Sequence, residues 1–211
     1  MLKRESRAGQ LLAAAMLMFT TAFSGHALAA ERFTEGAHYS VVESLKPSES
    51  LPSITKYIWI GCPYCIDVNP LLAQAQANHE GLSIDVRHSV RNPNWERDAR
   101  IFSALQIENR TDTVDGLMVH YVERRRGGEA IDEIDLLPYL AKQGVDAEAV
   151  SQLMYGEQVN AMIEEAKRED RVIDIQAVPT LVINNRYAIK QHDDIKTVAD
   201  QLALIDYLLA K

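Results

Sequence analysis

The residues of this chain best suited to chemistry are its two cysteines, Cys62 and Cys65, which lie three positions apart in the segment IWIGCPYCIDVNP. A disulfide between them would close a loop of two intervening residues, so it would restrain the unfolded chain very little. A chain of 211 residues can also bury an adequate core without a cross-link. The pair therefore indicates redox chemistry or metal binding rather than a structural disulfide.

The surroundings of Cys62 favour a reactive thiol. A strand pattern precedes it, and Pro63 fits the first position of a helix, where the missing N–H of proline costs nothing. Cys62 would then lie at the positive end of a helix dipole, which favours the thiolate. Cys65, one turn further on, is predicted to be more buried and less acidic. An accessible acidic sulfur backed by a second sulfur is the arrangement that thiol–disulfide exchange requires.

Two other uses of the cysteine pair stay open. A zinc site would need two further ligands, and the remaining candidates show no paired ligand spacing (His38, His79, His88, His120 and His192). An inert local disulfide is the other alternative. We favour redox chemistry, in which the disulfide itself carries the electrons and neither a metal nor an organic cofactor is needed.

The N-terminus predicts export. Three basic residues come first, an apolar run of about 13 residues follows, and Ala27-Leu28-Ala29 fits a signal-peptidase site. A membrane anchor is the alternative, but a bilayer span needs about 20 predominantly apolar residues. We therefore predict a signal peptide at 1–29 and an oxidising compartment, where disulfides persist.

The charge of the chain argues against nucleic acid as a partner. Its formal net charge is −8, and removal of the signal peptide makes the chain still more acidic. Such an acidic protein repels nucleic acid and anionic lipid. The basic cluster Arg124–Arg126 is interpreted as a solvated helix C-terminus that complements the helix dipole.

Hydrophobic periodicity gives the order of the elements. Strand patterns at HYSVVES, ITKYIWI and LSIDVRHSV precede an all-helical stretch, and PTLVI, an Asn-Asn turn and RYAIK follow it. A final helix would be capped by Asp193 or Asp194. We predict an α/β fold in which residues 30–92 and 171–211 form one domain that carries an inserted all-helical subdomain at 93–170.

These features together resemble the thioredoxin superfamily, and within it the DsbA family of periplasmic thiol:disulfide interchange proteins. The resemblance rests on CPYC after a hydrophobic strand, the helical block, and AVPTLVINNRY. It implies a thioredoxin-like fold and a cis Val178–Pro179 bond facing the cysteines. A proline at the start of a strand is the other interpretation of Pro179. Pro70 matches a proline that kinks the active-site helix in many relatives.

Three positions depart from the pattern of this family. Tyr64 stands where many of its oxidases have His, and a neutral Tyr adds no positive charge beside Cys62, so we expect a weaker oxidant. Val178 stands where isomerase-like relatives tend to have Thr. Lys56 stands where many thioredoxin-like proteins have a buried acid. A buried Lys56 would favour thiolates or act as a neutral proton acceptor; alternatively, its amine reaches solvent along the sheet.

The resemblance implies an exported thiol-disulfide oxidoreductase that introduces disulfides into reduced, unfolded or extended client proteins. It implies a periplasmic protein that is reoxidised by a DsbB-type quinone-linked membrane oxidase. We expect a monomer, because nothing in the sequence resembles a dimerisation stalk. A reductase or isomerase kept in the dithiol form, and a redox-silent chaperone that holds clients, remain alternatives. The predicted site comprises two catalytic residues, three supporting residues and two client-binding residues: Cys62 and Cys65; Pro63, Tyr64 and Lys56; Val178 and Pro179.

Overall fold

The computed structural model describes residues 32–45 and 52–211. The predicted signal peptide and most of the Ser/Pro-rich connector before the second strand lie outside these ranges. Within the described ranges, no helix combines the length and the apolar character needed to cross a membrane.

A five-stranded mixed sheet forms the centre of the fold. Its strand order is β1-β5-β4-β2-β3, with β2 and β3 parallel and the other neighbours antiparallel. Asn184 and Asn185 make the hairpin turn between β4 and β5 with φ angles of 53° and 50°, in the left-handed region that Asn tolerates. The strands are β1 (Tyr39–Val41), β2 (Ser53–Ile58), β3 (Ser83–His88), β4 (Thr180–Ile183) and β5 (Tyr187–Ile189).

Seven α-helices accompany the sheet in the described part of the chain. Five of them, α2 to α6, lie between β3 and β4, where the sequence predicts an all-helical block. A short 3-10 turn at Thr111–Thr113 joins the first two of these five. The helices are α1 (Asn69–Asn78), α2 (Pro93–Ile107), α3 (Val114–Arg126), α4 (Leu137–Lys142), α5 (Ala147–Leu153), α6 (Glu157–Ile173) and α7 (Val198–Leu209). The α/β fold with a helical insertion is confirmed.

Strand β2 connects the hydrophobic clusters of the molecule. All six of its residues are buried. Ile54 packs in a cluster with α1 and α7, whereas Ile58 packs in a cluster with the inserted helices. Tyr57, on the opposite face of the strand, packs near the end of α6. The chain therefore leaves β2 at the junction between the sheet and the inserted helices, and this junction holds the cysteines.

The predicted cap of the last helix is wrong. Helix α7 begins four residues after Asp194, and its N-cap is Thr197. The Thr197 hydroxyl accepts a hydrogen bond from the Asp200 N–H at 3.1 Å, and the Asp200 carboxylate accepts one from the Thr197 N–H at 2.9 Å. This reciprocal capping box satisfies two backbone donors, which neither Asp193 nor Asp194 is placed to do.

The predicted helix start at Cys62 is also wrong. Residues 63–68 form consecutive turns, and α1 begins at Asn69. The turns close through i to i+3 bonds, such as the one from the Cys65 N–H to the Cys62 carbonyl. Pro70 has no N–H with which to bond the Ile66 carbonyl, so α-helical bonding is interrupted there. Pro70 therefore lies in the first turn of α1, and the predicted kink within the active-site helix is absent.

Candidate active site

The two thiols lie in the turns that follow β2. The Cys62 N–H donates to the Trp59 carbonyl at 2.9 Å, which folds the chain back at the strand end. Both thiols are free, and both belong to the hydrophobic cluster shared with the inserted helices. Cys65 is fully buried, and Cys62 is 4% exposed. Cys65 is thus the more buried of the two, whereas the prediction of an accessible Cys62 sulfur is wrong for this dithiol form because the residue packs within the cluster.

Hydrogen bonds make Cys62 the acidic thiol of the pair. Its pKa is lowered to about 7, chiefly because the Cys65 thiol donates a hydrogen bond to it. Burial acts in the opposite direction; the N–H groups of Tyr64 and Cys65 lower the pKa further, and Asp67 raises it. The pKa of Cys65 is raised, because its thiol is the donor and because it is buried.

The predicted acidity of Cys62 therefore has a different physical origin. No α-helix of the described chain begins at Cys62, so the dipole of α1 is not its direct source. The Cys65 thiol and two N–H groups of the active-site turn stabilise the thiolate instead. The CPYC spacing brings these donors to the sulfur through the geometry of the turn.

The Val178–Pro179 segment meets Cys62 across the site. The peptide bond between these residues is cis, as the resemblance implies. The Cys62 thiol donates to the Val178 carbonyl at 3.5 Å. Pro179 leads directly into β4, the neighbour of β2 in the sheet. Residues 116 positions apart in the sequence therefore meet at one sulfur.

The two residues between the cysteines face solvent. Pro63 is exposed, and Tyr64 is 69% exposed, the joint highest exposure among the large hydrophobic side chains described. Tyr64 contributes its backbone N–H to Cys62, while its ring lines a cleft beside the site. The backbone of Tyr64 therefore stabilises the Cys62 thiolate, while its side chain forms part of the surface beside the site.

Lys56 is buried inside the protein. It is 4% exposed, and its amine donates to the Asn69 side chain at 2.6 Å. Asn69 in turn donates to the Asp115 carboxylate at 2.9 Å. Burial lowers the pKa of Lys56, while Asp115, Cys65 and Cys62 oppose that shift. The buried position of Lys56 is as predicted, and its amine is held by Asn69 instead of projecting freely into water.

His88, which the sequence offers only as one of several unpaired zinc-ligand candidates, supports the backbone of the site. It lies opposite Ile58 in the parallel ladder. Its Nε2 accepts a hydrogen bond from the Ile60 N–H at 3.1 Å, and its Nδ1 donates to the Ser89 carbonyl at 2.8 Å. Burial lowers the pKa of His88 to about 3, so the ring is neutral and can accept this bond. His88 therefore fixes the backbone two residues before Cys62.

Trp59 is a core residue, and it supports the active-site turn. Its ring stacks on Trp95 at a centroid distance of 4.9 Å, and its indole N–H donates to Asp98 at 2.8 Å. Asp98 is fully buried and also pairs with Arg97 at 2.7 Å. These contacts anchor the end of β2 to helix α2 of the insertion.

Gly61 is required next to this tryptophan. A Cβ at position 61 would lie 2.4 Å from the Trp59 ring, well inside any real contact distance. We expect Gly61→Ala to destabilise the fold by about 1–3 kcal/mol, because Trp59 must move. Client oxidation should slow as well. The measurement is the free energy of unfolding in urea, together with the rate of client oxidation.

A double-mutant cycle tests this explanation of the Gly61 effect. In a Trp59→Leu background the alanine should cost less than it does alone, because the clashing ring is gone. Equal costs in both backgrounds would show that the clash with Trp59 is not the cause.

A separate group of potential metal ligands lies away from the cysteines. The ligand atoms of His38, His192 and Asp194 all lie within 4.8 Å of one another. The Nδ1 of His38 accepts a hydrogen bond from the Thr34 N–H at 3.0 Å, so its proton is on Nε2, which bonds Asp194 at 3.0 Å. A metal-bound His normally donates from its other nitrogen, so this arrangement suits a structural contact better than a metal site.

Comparison with known proteins agrees with this geometry. The family model of the DSBA-like thioredoxin domain matches residues 73–203, a stretch that begins after both cysteines. The thiol:disulfide interchange protein DsbA of Pseudomonas aeruginosa is 27% identical over 211 residues, covering 95% of each chain. The crystal structure of that species' DsbA matches with a TM-score of 0.70 at 20% identity, covering 86% of this chain and 95% of the other. DsbA from Xylella fastidiosa also matches with a TM-score of 0.70, at 19% identity and with 84% and 96% of the two chains covered.

The fold and the dithiol site define a protein thiol-disulfide oxidoreductase of the thioredoxin class. Within that class, the chain belongs to the DSBA-like thioredoxin domain family. The family model covers the helical insertion and the strands β3, β4 and β5, and both cysteines lie just before the matched stretch.

Proposed function

We propose that this protein is a disulfide oxidase, which transfers its Cys62–Cys65 disulfide to client proteins outside the cytoplasm. The observation that carries the proposal is the Cys62 sulfur, 3.5 Å from the Val178 carbonyl at the cis Val178–Pro179 bond, with its pKa lowered to about 7. A thiol that is easily deprotonated is a good leaving group, which favours release of an oxidised client.

The first step is attack by a client thiolate on the Cys62 sulfur of the disulfide. The Cys62–Cys65 bond breaks, a bond forms between Cys62 and the client, and Cys65 leaves with the electron pair. Cys65 then takes up a proton, which accords with its raised pKa. In the disulfide form Cys62 has no thiol hydrogen, so the Val178 carbonyl is free to accept a client N–H. The client strand thereby lies against the segment that ends at Pro179.

The second step releases the product. A second client thiolate attacks the client sulfur of the mixed disulfide, and Cys62 leaves as a stabilised thiolate. The client has lost two electrons and gained a disulfide, while the protein has gained two electrons and become the dithiol. Pro63 and Tyr64 lie in the turn whose N–H groups, those of Tyr64 and Cys65, donate hydrogen bonds to the Cys62 thiolate.

Lys56 is assigned a supporting role in the first step. Its amine lies in the field of both cysteines, and the attraction is mutual, because Lys56 also lowers the pKa of Cys65. The Lys56–Asn69–Asp115 chain of hydrogen bonds leads from the buried strand to an exposed carboxylate. Both bonds of this chain are donated outwards, and the charge of the Lys56 ammonium stabilises the departing Cys65 thiolate.

The cellular setting is part of the proposal. The N-terminal pattern and the family support a periplasmic monomer delivered by a signal peptide that ends at Ala29. A DsbB-type quinone-linked membrane oxidase would accept two electrons from the dithiol and restore the disulfide. A structural relative, Proteus mirabilis DsbA, has been solved with a bound peptide; it matches with a TM-score of 0.66 at 19% identity, over 85% of this chain and 99% of that one. This relative supports a peptide segment as the part of the client that is bound.

The test separates the oxidase from its alternatives. Thiol trapping in intact cells should find Cys62 and Cys65 mostly as the disulfide, and purified oxidised protein should restore activity to a reduced, unfolded disulfide-containing enzyme. A predominantly reduced pair in cells would favour the reductase or isomerase. The redox-silent chaperone would be favoured by two results together: the wild type oxidises no client, and Cys62→Ser prevents aggregation of unfolded clients as well as the wild type does.

A further inference from the structure

A cleft beside Cys62 joins the active-site turn to helix α3. Pro63, Tyr64 and Asp67 line it from the turn, and Arg125 and Arg126 line it from the C-terminal end of α3. Tyr64 and both arginines are exposed. A client chain that places a cysteine at Cys62 must therefore pass close to this surface.

The two arginines of the cleft have no ion-pair partner within the part of the chain that the structure describes. Their neighbour Arg124, by contrast, is paired with Glu129. The guanidinium of Arg125 lies 5.8 Å from the ring centroid of Trp59, which is itself stacked on Trp95. Interaction with the helix dipole accounts for basic residues at this helix end, but it does not account for two cations without an ion-pair partner beside the reactive cysteine of an acidic protein.

We propose that Arg125 and Arg126 bind an acidic side chain of the client next to its reacting cysteine. This inference rests on the proposed function and names a preferred class of client for the same site. Asp67 leaves the cleft with a net charge of about one positive unit, which suits a single Glu or Asp better than an acidic run. The negative net charge of the whole chain suggests a preference for basic clients, whereas this cleft favours an acidic residue next to the client cysteine.

The preference is expected to be moderate and sensitive to salt. Both arginines are exposed, so water screens their attraction for a carboxylate. A rate preference of about fivefold at low ionic strength is the scale for two exposed contacts. It should shrink in high salt, where the screening length falls to about 3 Å at 1 M.

The experiment compares three peptides that each contain two cysteines and differ only in the residues flanking the first one, which are Glu, Gln or Lys. Oxidised wild type should oxidise the Glu peptide about fivefold faster than the Gln peptide, and the Lys peptide more slowly than either. In the double variant Arg125→Gln/Arg126→Gln the Glu-to-Gln ratio should fall to about one. The matched control, Arg124→Gln, removes the same type of charge from the same helix turn and should keep the wild-type ratio.

Ratios between peptides cancel any general change in the reactivity of Cys62. Oxidation of all three peptides at equal rates by wild type would overturn the charge preference and leave the proposed oxidase intact. A preference that persists in the double variant would overturn its assignment to Arg125 and Arg126. If none of the three peptides is oxidised, the proposed function itself fails.

Discussion

Cys65→Ser is expected to turn the protein from a catalyst into a covalent trap. Cys62 alone can still attack a client disulfide and form a mixed disulfide, with release of one client thiolate, but no neighbouring thiol remains to displace that client. Turnover in a client oxidation assay should fall to the uncatalysed background. Adducts that disappear with reductant should accumulate on non-reducing gels of extracts from cells that make the variant.

The companion variant Cys62→Ser provides the control. Cys65 is fully buried and its pKa is raised, so it cannot take the place of Cys62 at neutral pH. We expect neither turnover nor adducts from this variant. Abundant adducts through Cys65, or normal turnover in Cys65→Ser, would contradict the assignment of Cys62 as the sulfur that meets the client.

Lys56→Gln is expected to make the protein a weaker oxidant. The glutamine amide can still donate to Asn69, but the positive charge near both sulfurs is lost. That charge favours thiolates, which belong to the reduced form, so its loss destabilises the dithiol relative to the disulfide. The pKa of Cys62 should rise, and a rise of one unit corresponds to a tenfold change in the exchange equilibrium, or about 30 mV towards a more negative potential.

The readouts for Lys56 are the equilibrium with glutathione and the rate of client oxidation across pH. Lys196→Met, which removes an exposed lysine before α7, serves as the control and should change neither readout. If Lys56→Gln lowers stability but leaves the glutathione equilibrium and the Cys62 titration unchanged, then Lys56 is a structural residue only.

Periodicity predicted most of the fold because the signals are local. The hydrophobic strand before Cys62, the helical block and the Asn184-Asn185 turn each lie within a short window of sequence. The first residues of helices were less predictable. Helix α1 begins at Asn69, next to Pro70, which has no N–H for the Ile66 carbonyl. The cap of α7 is a reciprocal pair, Thr197 and Asp200, rather than Asp193 or Asp194.

The site was predictable where one motif carries it and unpredictable where distant segments meet. Cys62 and Cys65 follow from their spacing, and Val178–Pro179 follows from the family pattern. The bond from Ile60 to His88 requires knowledge of the β2–β3 register. The Asn69–Asp115 contact spans 46 positions and requires the packing of α1 against the inserted helices. No local pattern contains that information.

The pH titration of the Cys62 thiolate by its ultraviolet absorbance tests the central claim most directly. This claim is that the Cys65 thiol and the N–H groups of the CPYC turn stabilise a negative charge on Cys62. We expect a midpoint of about 7 for the reduced protein, and a clearly higher midpoint in Cys65→Ser, where the thiol donor is lost. A midpoint for the reduced wild type at or above about 8.5, the ordinary value of a free cysteine, would contradict it.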